Sequence, residues 1–74
     1  MTDREWIEAF ARALGVSAPD EAEVEAILAL AGVAAHASQR TAAPVACWLA
    51  AGSGRTAADA VALARTVAPE AGRG

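Results

Sequence analysis

Apolar residues recur along this chain at three- and four-residue steps, the spacing of one face of an α-helix. The first run follows Thr2, whose hydroxyl can cap a helix with Glu5 as reciprocal partner in a capping box. Gly15 can supply the left-handed residue that ends it. The pattern predicts a first helix over about residues 3–14. Its apolar stripe consists of Trp6, Ile7, Phe10 and Leu14.

A second helix is predicted over about residues 20–37. Asp20 and Glu23 have the spacing of another capping box, and Pro19 disfavours extension of the helix backwards. This helix is apolar on two sides, which is typical of a central helix that is packed by neighbours on both. One face consists of Val24, Ile27, Leu28, Ala31 and Ala35, and the other of Leu30, Val33 and Ala37.

Two shorter helices are predicted to complete the chain. The third covers about residues 42–51, with Thr41 as its N-cap, Pro44 in its first turn and Gly52 or Gly54 at its end. We expect its buried stripe to consist of Val45, Trp48 and Leu49. The fourth covers about residues 57–67, with Thr56 and Asp59 as a capping pair, and stops before Pro69. Its expected buried residues are Ala60, Val61, Leu63, Ala64 and Val67.

The resulting fold class is all-α, a single small bundle of four short helices. No sustained alternation of apolar and polar residues signals a strand. A chain of 74 residues, 23 of them alanine, cannot divide its apolar side chains between two cores, so residues 1–74 are predicted to be one domain. We expect residues 70–74 to be a disordered tail.

Charge is distributed unevenly. Residues 1–35 carry seven acids and two arginines, a net charge of −5, and residues 36–74 carry two acids and four arginines, a net charge of +2. This layout argues against nucleic-acid binding, which requires a basic surface. No stretch approaches the roughly 18 consecutive apolar residues of a membrane span, and the start of the chain does not resemble a signal peptide. We therefore predict a cytoplasmic protein that binds no cofactor and does not associate with a membrane.

The junction between the second and third helices, AHASQRTAAP over residues 35–44, concentrates the candidate chemistry. A helix beginning at Thr41 would offer the amides of Ala42 and Ala43 to a phosphate or carboxylate. Arg40 could add a bidentate contact, and His36 lies about one turn away. The candidate anion site is therefore His36, Arg40 and Thr41. The alternative is that His36 caps carbonyls, Arg40 pairs with an acid of the first two helices, and Thr41 only caps.

Other features favour no catalytic or metal site. Cys47 is the only cysteine and His36 the only histidine, so the sequence indicates no catalytic arrangement of nucleophile, base and orienting group. The acids from Asp20 to Glu25 lack the spacing of a calcium loop. A DNA-recognition helix is disfavoured because the fourth helix offers only Arg65. Trp6 lies near the chain start and, if partly exposed, is a candidate contact for a protein partner.

Two runs carry a family resemblance, EWIEAFARALGV and LALAGVAAHASQRTAAPVACWLAAG. They resemble an uncharacterised bacterial family of small helical domains, and the resemblance covers the chain from about Glu5 to Val67. Such domains occur alone or fused to proteins resembling molybdopterin-guanine dinucleotide synthase, the nucleotidyltransferase that attaches GMP to the molybdenum cofactor. The resemblance implies an association with molybdenum-cofactor maturation. It implies no activity for this chain, which has no nucleotide-binding loop and no lysine.

Two functions therefore stay open. The first is a non-catalytic accessory or interaction domain that binds a molybdenum-cofactor biosynthesis enzyme and offers the junction to an anion. The second is a structural or regulatory helical protein that forms a homodimer and has no ligand.

Overall fold

The computed structural model of the protein describes residues 1–67. Helix α1 spans Asp3–Leu14, α2 spans Glu21–Ala37, α3 spans Ala42–Gly52 and α4 spans Ala57–Ala64. The described residues contain no strand, so the predicted all-α fold of four short helices is confirmed. The predicted tail over residues 70–74 and the stop at Pro69 lie outside the described residues. None of the four helices is long and apolar enough to cross a membrane.

The ends of α1 form as the sequence predicts. The hydroxyl of Thr2 accepts a hydrogen bond from the Glu5 amide at 3.1 Å, and the Glu5 carboxylate accepts one from the Thr2 amide at 2.8 Å. At the other end, Gly15 adopts a φ of 80°. The Val16 amide then donates to the Ala11 carbonyl at 3.0 Å and the Gly15 amide to the Arg12 carbonyl at 3.1 Å, so these bonds close the last turn.

Helix α2 begins at Glu21, because Asp20 stays outside the helix as its cap. The Asp20 carboxylate accepts from the Glu23 amide at 2.8 Å, and the Glu23 carboxylate accepts from the Asp20 amide at 3.0 Å. Helix α2 packs against both α3 and α4, whereas α3 and α4 share a much smaller contact. The prediction that this helix is central is therefore confirmed.

Helix α4 is three residues shorter than predicted. The amides of Thr66 and Val67 bond to carbonyls three residues back, at 3.0 and 3.1 Å, and the Thr66 hydroxyl donates to the Leu63 carbonyl at 2.6 Å. These bonds tighten the chain into turns and stop α-helical propagation. At the start of α4, Thr56 accepts from the Asp59 amide at 3.1 Å, but the reciprocal bond is absent. Aspartate is one methylene shorter than the glutamate of a full capping box.

The core is small and is centred on α2. Leu30 is 4 % exposed and packs with Ala60 and Val61 of α4. Four partly buried residues surround this cluster, namely Ala26, Cys47, Ala50 and Ala64. Helix α1 stands apart, since none of its Cα atoms lies within 8 Å of a Cα atom of α2, α3 or α4. It approaches α2 at a shallow cavity of about 350 Å³ lined by Asp3, Arg4, Ile7, Glu21, Val24 and Glu25.

Much of the predicted apolar core is on the surface instead. The expected buried stripe of α3 is exposed, and so is most of the stripe of α1 and part of that of α4. The reason is geometric, because only α3 and α4 pack closely on α2, α1 stands apart, and no second layer covers their outer faces. The exposed residues predicted as core are Trp6, Phe10, Leu14, Leu28, Val45, Trp48, Leu49, Leu63 and Val67.

Two leucines of α2 test the position of the core. Leu30 is 4 % exposed and Leu28 is 65 % exposed, although they lie on the same helix. We expect Leu30→Ala to lower the free energy of unfolding by about 2–4 kcal/mol, because it leaves a cavity among α2, α3 and α4. The matched change Leu28→Ala should cost less than about 0.5 kcal/mol, as is usual at exposed positions. Urea denaturation followed by circular dichroism measures both, and equal losses would contradict this core.

Candidate functional site

The predicted junction links α2 to α3 through an exposed turn. His36 lies in the last turn of α2, and Arg40 and Thr41 precede α3; all three side chains are exposed. Ser38 ends α2, with both its amide and its hydroxyl bonded to the Ala34 carbonyl at 3.2 and 3.1 Å. Carbonyl capping in this turn is therefore observed for Ser38 rather than for His36.

Thr41 occupies the N-cap position of α3 as predicted, but the prediction that its side chain caps the helix is wrong. Its backbone is helical, with φ −66° and ψ −18°, rather than extended like that of Thr2 or Thr56. In this conformation the hydroxyl forms no capping hydrogen bond. The amide of Ala42 instead bonds to the Gln39 carbonyl at 2.9 Å, and that of Ala43 to the Arg40 carbonyl at 3.1 Å.

These two bonds change what the junction can offer an anion. The amides of Ala42 and Ala43 are already occupied by carbonyls, and Pro44 has no N–H. An anion would have to be held by side chains, chiefly the guanidinium of Arg40. Within residues 1–67 the only ion pair joins Arg4 and Glu8, at 3.3 Å, so the expected pairing of Arg40 with an acid of the first two helices is not observed there.

The exposed apolar face of α1 is a second candidate site. The rings of Trp6 and Phe10 lie 5.0 Å apart at 31°, a tilted aromatic pair at helical spacing. Trp6 is 55 % exposed, which confirms the expectation that it is partly exposed. Leu14 continues this face by one turn and is also exposed. We call Trp6, Phe10 and Leu14 the α1 face.

The third candidate site is the outer side of α3. Trp48 is 79 % exposed there, and Val45 and Leu49 are exposed beside it at helical spacing. The opposite side of α3 packs on α2, where the Cys47 thiol lies 3.9 Å from the Ile27 carbonyl. We call Val45, Trp48 and Leu49 the α3 face.

The sequence pattern did not identify the α3 face as a surface, because helix α3 is apolar on all sides. Periodicity identifies a buried stripe by contrast with a polar face, and AAPVACWLAAG has no charged residue to provide that contrast. The large side chains Val45, Trp48 and Leu49 were therefore assigned to the core. In the structure they are exposed, and Cys47 and Ala50 pack against α2 instead. The missed signal was the lack of a polar side in a helix of so small a domain.

Reactive groups are few in the described part of the chain. Cys47 is half-buried and lines an apolar cavity of about 210 Å³ between α2, α3 and the start of α4. Among residues 1–67, no three His, Cys, Asp or Glu side chains are grouped closely enough to hold a metal ion. The site features that the geometry does provide are an exposed polar junction and two exposed apolar faces.

Comparison with known families finds a match over nearly the whole chain. A family model described as Domain of unknown function (DUF6457) matches residues 2–73. The chain belongs to this family. No curated protein and no solved structure matches it. Membership in the DUF6457 family thus supports the resemblance to an uncharacterised family of small domains, and it assigns no activity.

Two threonines test whether Thr41 has a capping role in this DUF6457 domain. Thr56 accepts a hydrogen bond from the Asp59 amide, whereas Thr41 accepts none from the amides of α3. We expect Thr56→Ala to lower the free energy of unfolding by about 1 kcal/mol. Thr41→Ala should change it by less than about 0.5 kcal/mol, as at other exposed positions without a specific bond. Thermal unfolding of the two variants decides this, and a larger loss for Thr41→Ala would contradict the observed junction.

Proposed function

We propose that this domain is a non-catalytic interaction module that docks through its α1 face onto an enzyme of molybdenum-cofactor maturation. The observation that carries the docking role is the exposed aromatic pair of Trp6 and Phe10. Aromatic side chains, and tryptophan above all, are enriched at the centres of protein interfaces. An amphipathic helix that makes no close backbone contact with its own domain is well placed to enter a groove of another protein.

The charge around α1 indicates the kind of groove it fits. Residues 1–35, which comprise α1 and most of α2, carry a net charge of −5. Three carboxylates, those of Asp3, Glu21 and Glu25, line the cavity beside α1. A partner surface with an apolar floor and a basic rim would complement this half of the domain and would speed association.

The link to the molybdenum cofactor rests on the sequence resemblance to bacterial domains that occur fused to proteins like molybdopterin-guanine dinucleotide synthase. A domain that is fused to an enzyme in some chains can bind the same enzyme when the two are separate, because fusion raises the effective concentration of a contact that already exists. We therefore take that nucleotidyltransferase as the partner to test first.

The junction extends this proposal to a weak anion contact. Arg40, Thr41 and His36 are exposed at the turn between α2 and α3, and none of them lines the cavities beside α1 or the one between α2, α3 and the start of α4. An open site of this kind suits a phosphate or carboxylate presented by the docked partner better than an enclosed small molecule. Arg40 is the central residue, since guanidinium groups bind such anions through two parallel hydrogen bonds.

The first test measures binding of purified nucleotidyltransferase to the domain by isothermal titration calorimetry. We expect Trp6→Ser to raise Kd by roughly thirtyfold, which corresponds to the loss of about 2 kcal/mol that is typical of an aromatic interface anchor. Trp48→Ser is the matched control, because it makes the same change at a more exposed tryptophan outside the α1 face. Its Kd per site should stay within about twofold of the wild type.

Equal weakening by the two substitutions would remove α1 as the docking element. No binding by the wild type would remove the nucleotidyltransferase as partner. The second candidate function, a self-associating protein without ligand, predicts this last outcome.

The anion contact is tested separately with inorganic phosphate. We expect backbone amide resonances of residues 36–41 to shift on titration with phosphate at millimolar concentration, as for an exposed charge-assisted contact. Arg40→Ala should abolish these shifts. Arg55→Ala is the matched control, because Arg55 is also an exposed arginine beside α3, and it should leave them unchanged. Shifts that survive Arg40→Ala would contradict the role of this guanidinium.

A further inference from the structure

Helix α3 has an apolar surface on every side, although only one side is packed within the domain. Its residues, AAPVACWLAAG, include no charged side chain. The inner side packs on α2 through Cys47 and Ala50, which border the Leu30 cluster. The outer side carries Trp48, 79 % exposed. A helix that is hydrophobic all round is normally buried all round, so the α3 face lacks a covering surface.

We propose that a second copy of this chain covers the α3 face, with the α3 helices of the two copies packed against each other across a two-fold axis. The inference goes beyond the proposed function, because it uses a different face of the domain. Self-association through α3 leaves the α1 face available to a partner enzyme. The two proposals can therefore fail independently.

Charge is the first argument for a second copy as the occupant. In a two-fold interface the same patch meets itself, so any charge near the axis faces a like charge from the other copy. Helices α1, α2 and α4 each carry acidic side chains, and α3 is the only described helix without a charged residue. Two α3 faces can therefore meet without charge repulsion from the residues of α3 itself.

Shape supports an antiparallel arrangement of the two helices. With the axis between Trp48 and Leu49, each tryptophan lies against the leucine of the other copy. Val45 then lies opposite Gly52 of the other copy, where a side-chain carbon would meet no atom within 4 Å in the single chain. Because Gly52 carries no side chain, the valine can approach the backbone of the other helix there. Antiparallel packing also opposes the two helix dipoles.

The area available is sufficient for a weak dimer. Trp48 alone exposes roughly 200 Å². Val45 and Leu49 beside it are 57 % and 66 % exposed. A contact between two such faces belongs to the small interfaces, below about 1,200 Å² in total, that are typical of weak and transient complexes. We therefore expect a dissociation constant in the micromolar range or above.

The experiment is sedimentation velocity of the full chain from about 5 to 500 μM, a range that brackets this affinity. We expect the wild type to pass from monomer to dimer, and Trp48→Ser to raise the dissociation constant by at least about tenfold. Leu63→Ser and Leu49→Ser form a matched pair, since both leucines are exposed but only Leu49 belongs to the α3 face. Leu49→Ser should weaken the dimer and Leu63→Ser should not.

Tryptophan fluorescence provides a second measurement, on variants that keep an aromatic residue at positions 6 and 48. The chain has two tryptophans, so Trp6→Phe leaves Trp48 as the only indole, and Trp48→Phe leaves Trp6. We expect the emission of Trp48 to shift to shorter wavelength as concentration rises, and that of Trp6 to stay constant. The proposal is overturned if the wild type stays monomeric at about 500 μM, the highest concentration of the sedimentation experiment. A dimer that survives Trp48→Ser, or a shift confined to Trp6, overturns it equally.

Discussion

Burial of Leu30 is the interaction on which the arrangement of α2, α3 and α4 depends. Fully burying a leucine contributes about 1.5–3 kcal/mol, whereas each methyl or methylene group contributes about 0.8 kcal/mol. The other residues of this core are mostly alanine, together with Val61 and Cys47. Alanine allows helices to approach closely, but it removes little apolar area from water. One leucine therefore contributes a large share of the stability that joins three helices.

The same constraint explains why so many large side chains are exposed. A core made from small residues on close-packed helices has no room for Trp6, Phe10 or Trp48, which lie on outer faces instead. Contiguous exposed apolar surface on a small protein marks sites of interaction. Here the surface is divided between α1, which is bordered by charge, and α3, which carries none. The difference in charge favours a different kind of partner for each face.

The parts of the fold that follow from local chemistry could be predicted from the sequence. The capping boxes at Thr2 and Asp20 form as expected, and so does the left-handed end of α1 at Gly15, because each depends on residues within one or two turns. Thr41 shows the limit of this reasoning. Its hydroxyl is suited to capping, but the chain enters α3 through a turn from Gln39 and Arg40 that keeps Thr41 helical. Tertiary connection overrides local preference there.

Which side of each helix packs in the core could not be predicted from local chemistry. Leu28 and Leu30 are identical residues two positions apart on α2, yet only Leu30 lies where α3 and α4 meet the helix. Periodicity gives the angular separation of two side chains around the helix axis. It does not tell which side of the helix packs against another helix. In α3, where every side is apolar, even the contrast between faces is lost. Candidate sites were therefore predicted at the junction, where polar residues are conspicuous, and at Trp6, whereas Phe10, Leu14 and the α3 face were assigned to the core.

The isolation of α1 links its order to its function. A helix of 12 residues is marginal in water without tertiary contacts, even when both ends are capped. The pairing of Trp6 with Phe10 and of Arg4 with Glu8 adds only local support of a few tenths of a kcal/mol each. In the proposed complex, a partner on the α1 face would supply the contacts that α2, α3 and α4 do not provide. Because any ligand that binds only the ordered form stabilises that form, docking and helix stability in α1 would be coupled. The proposed docking surface thus lies on the described helix that makes no close backbone contact with the other three.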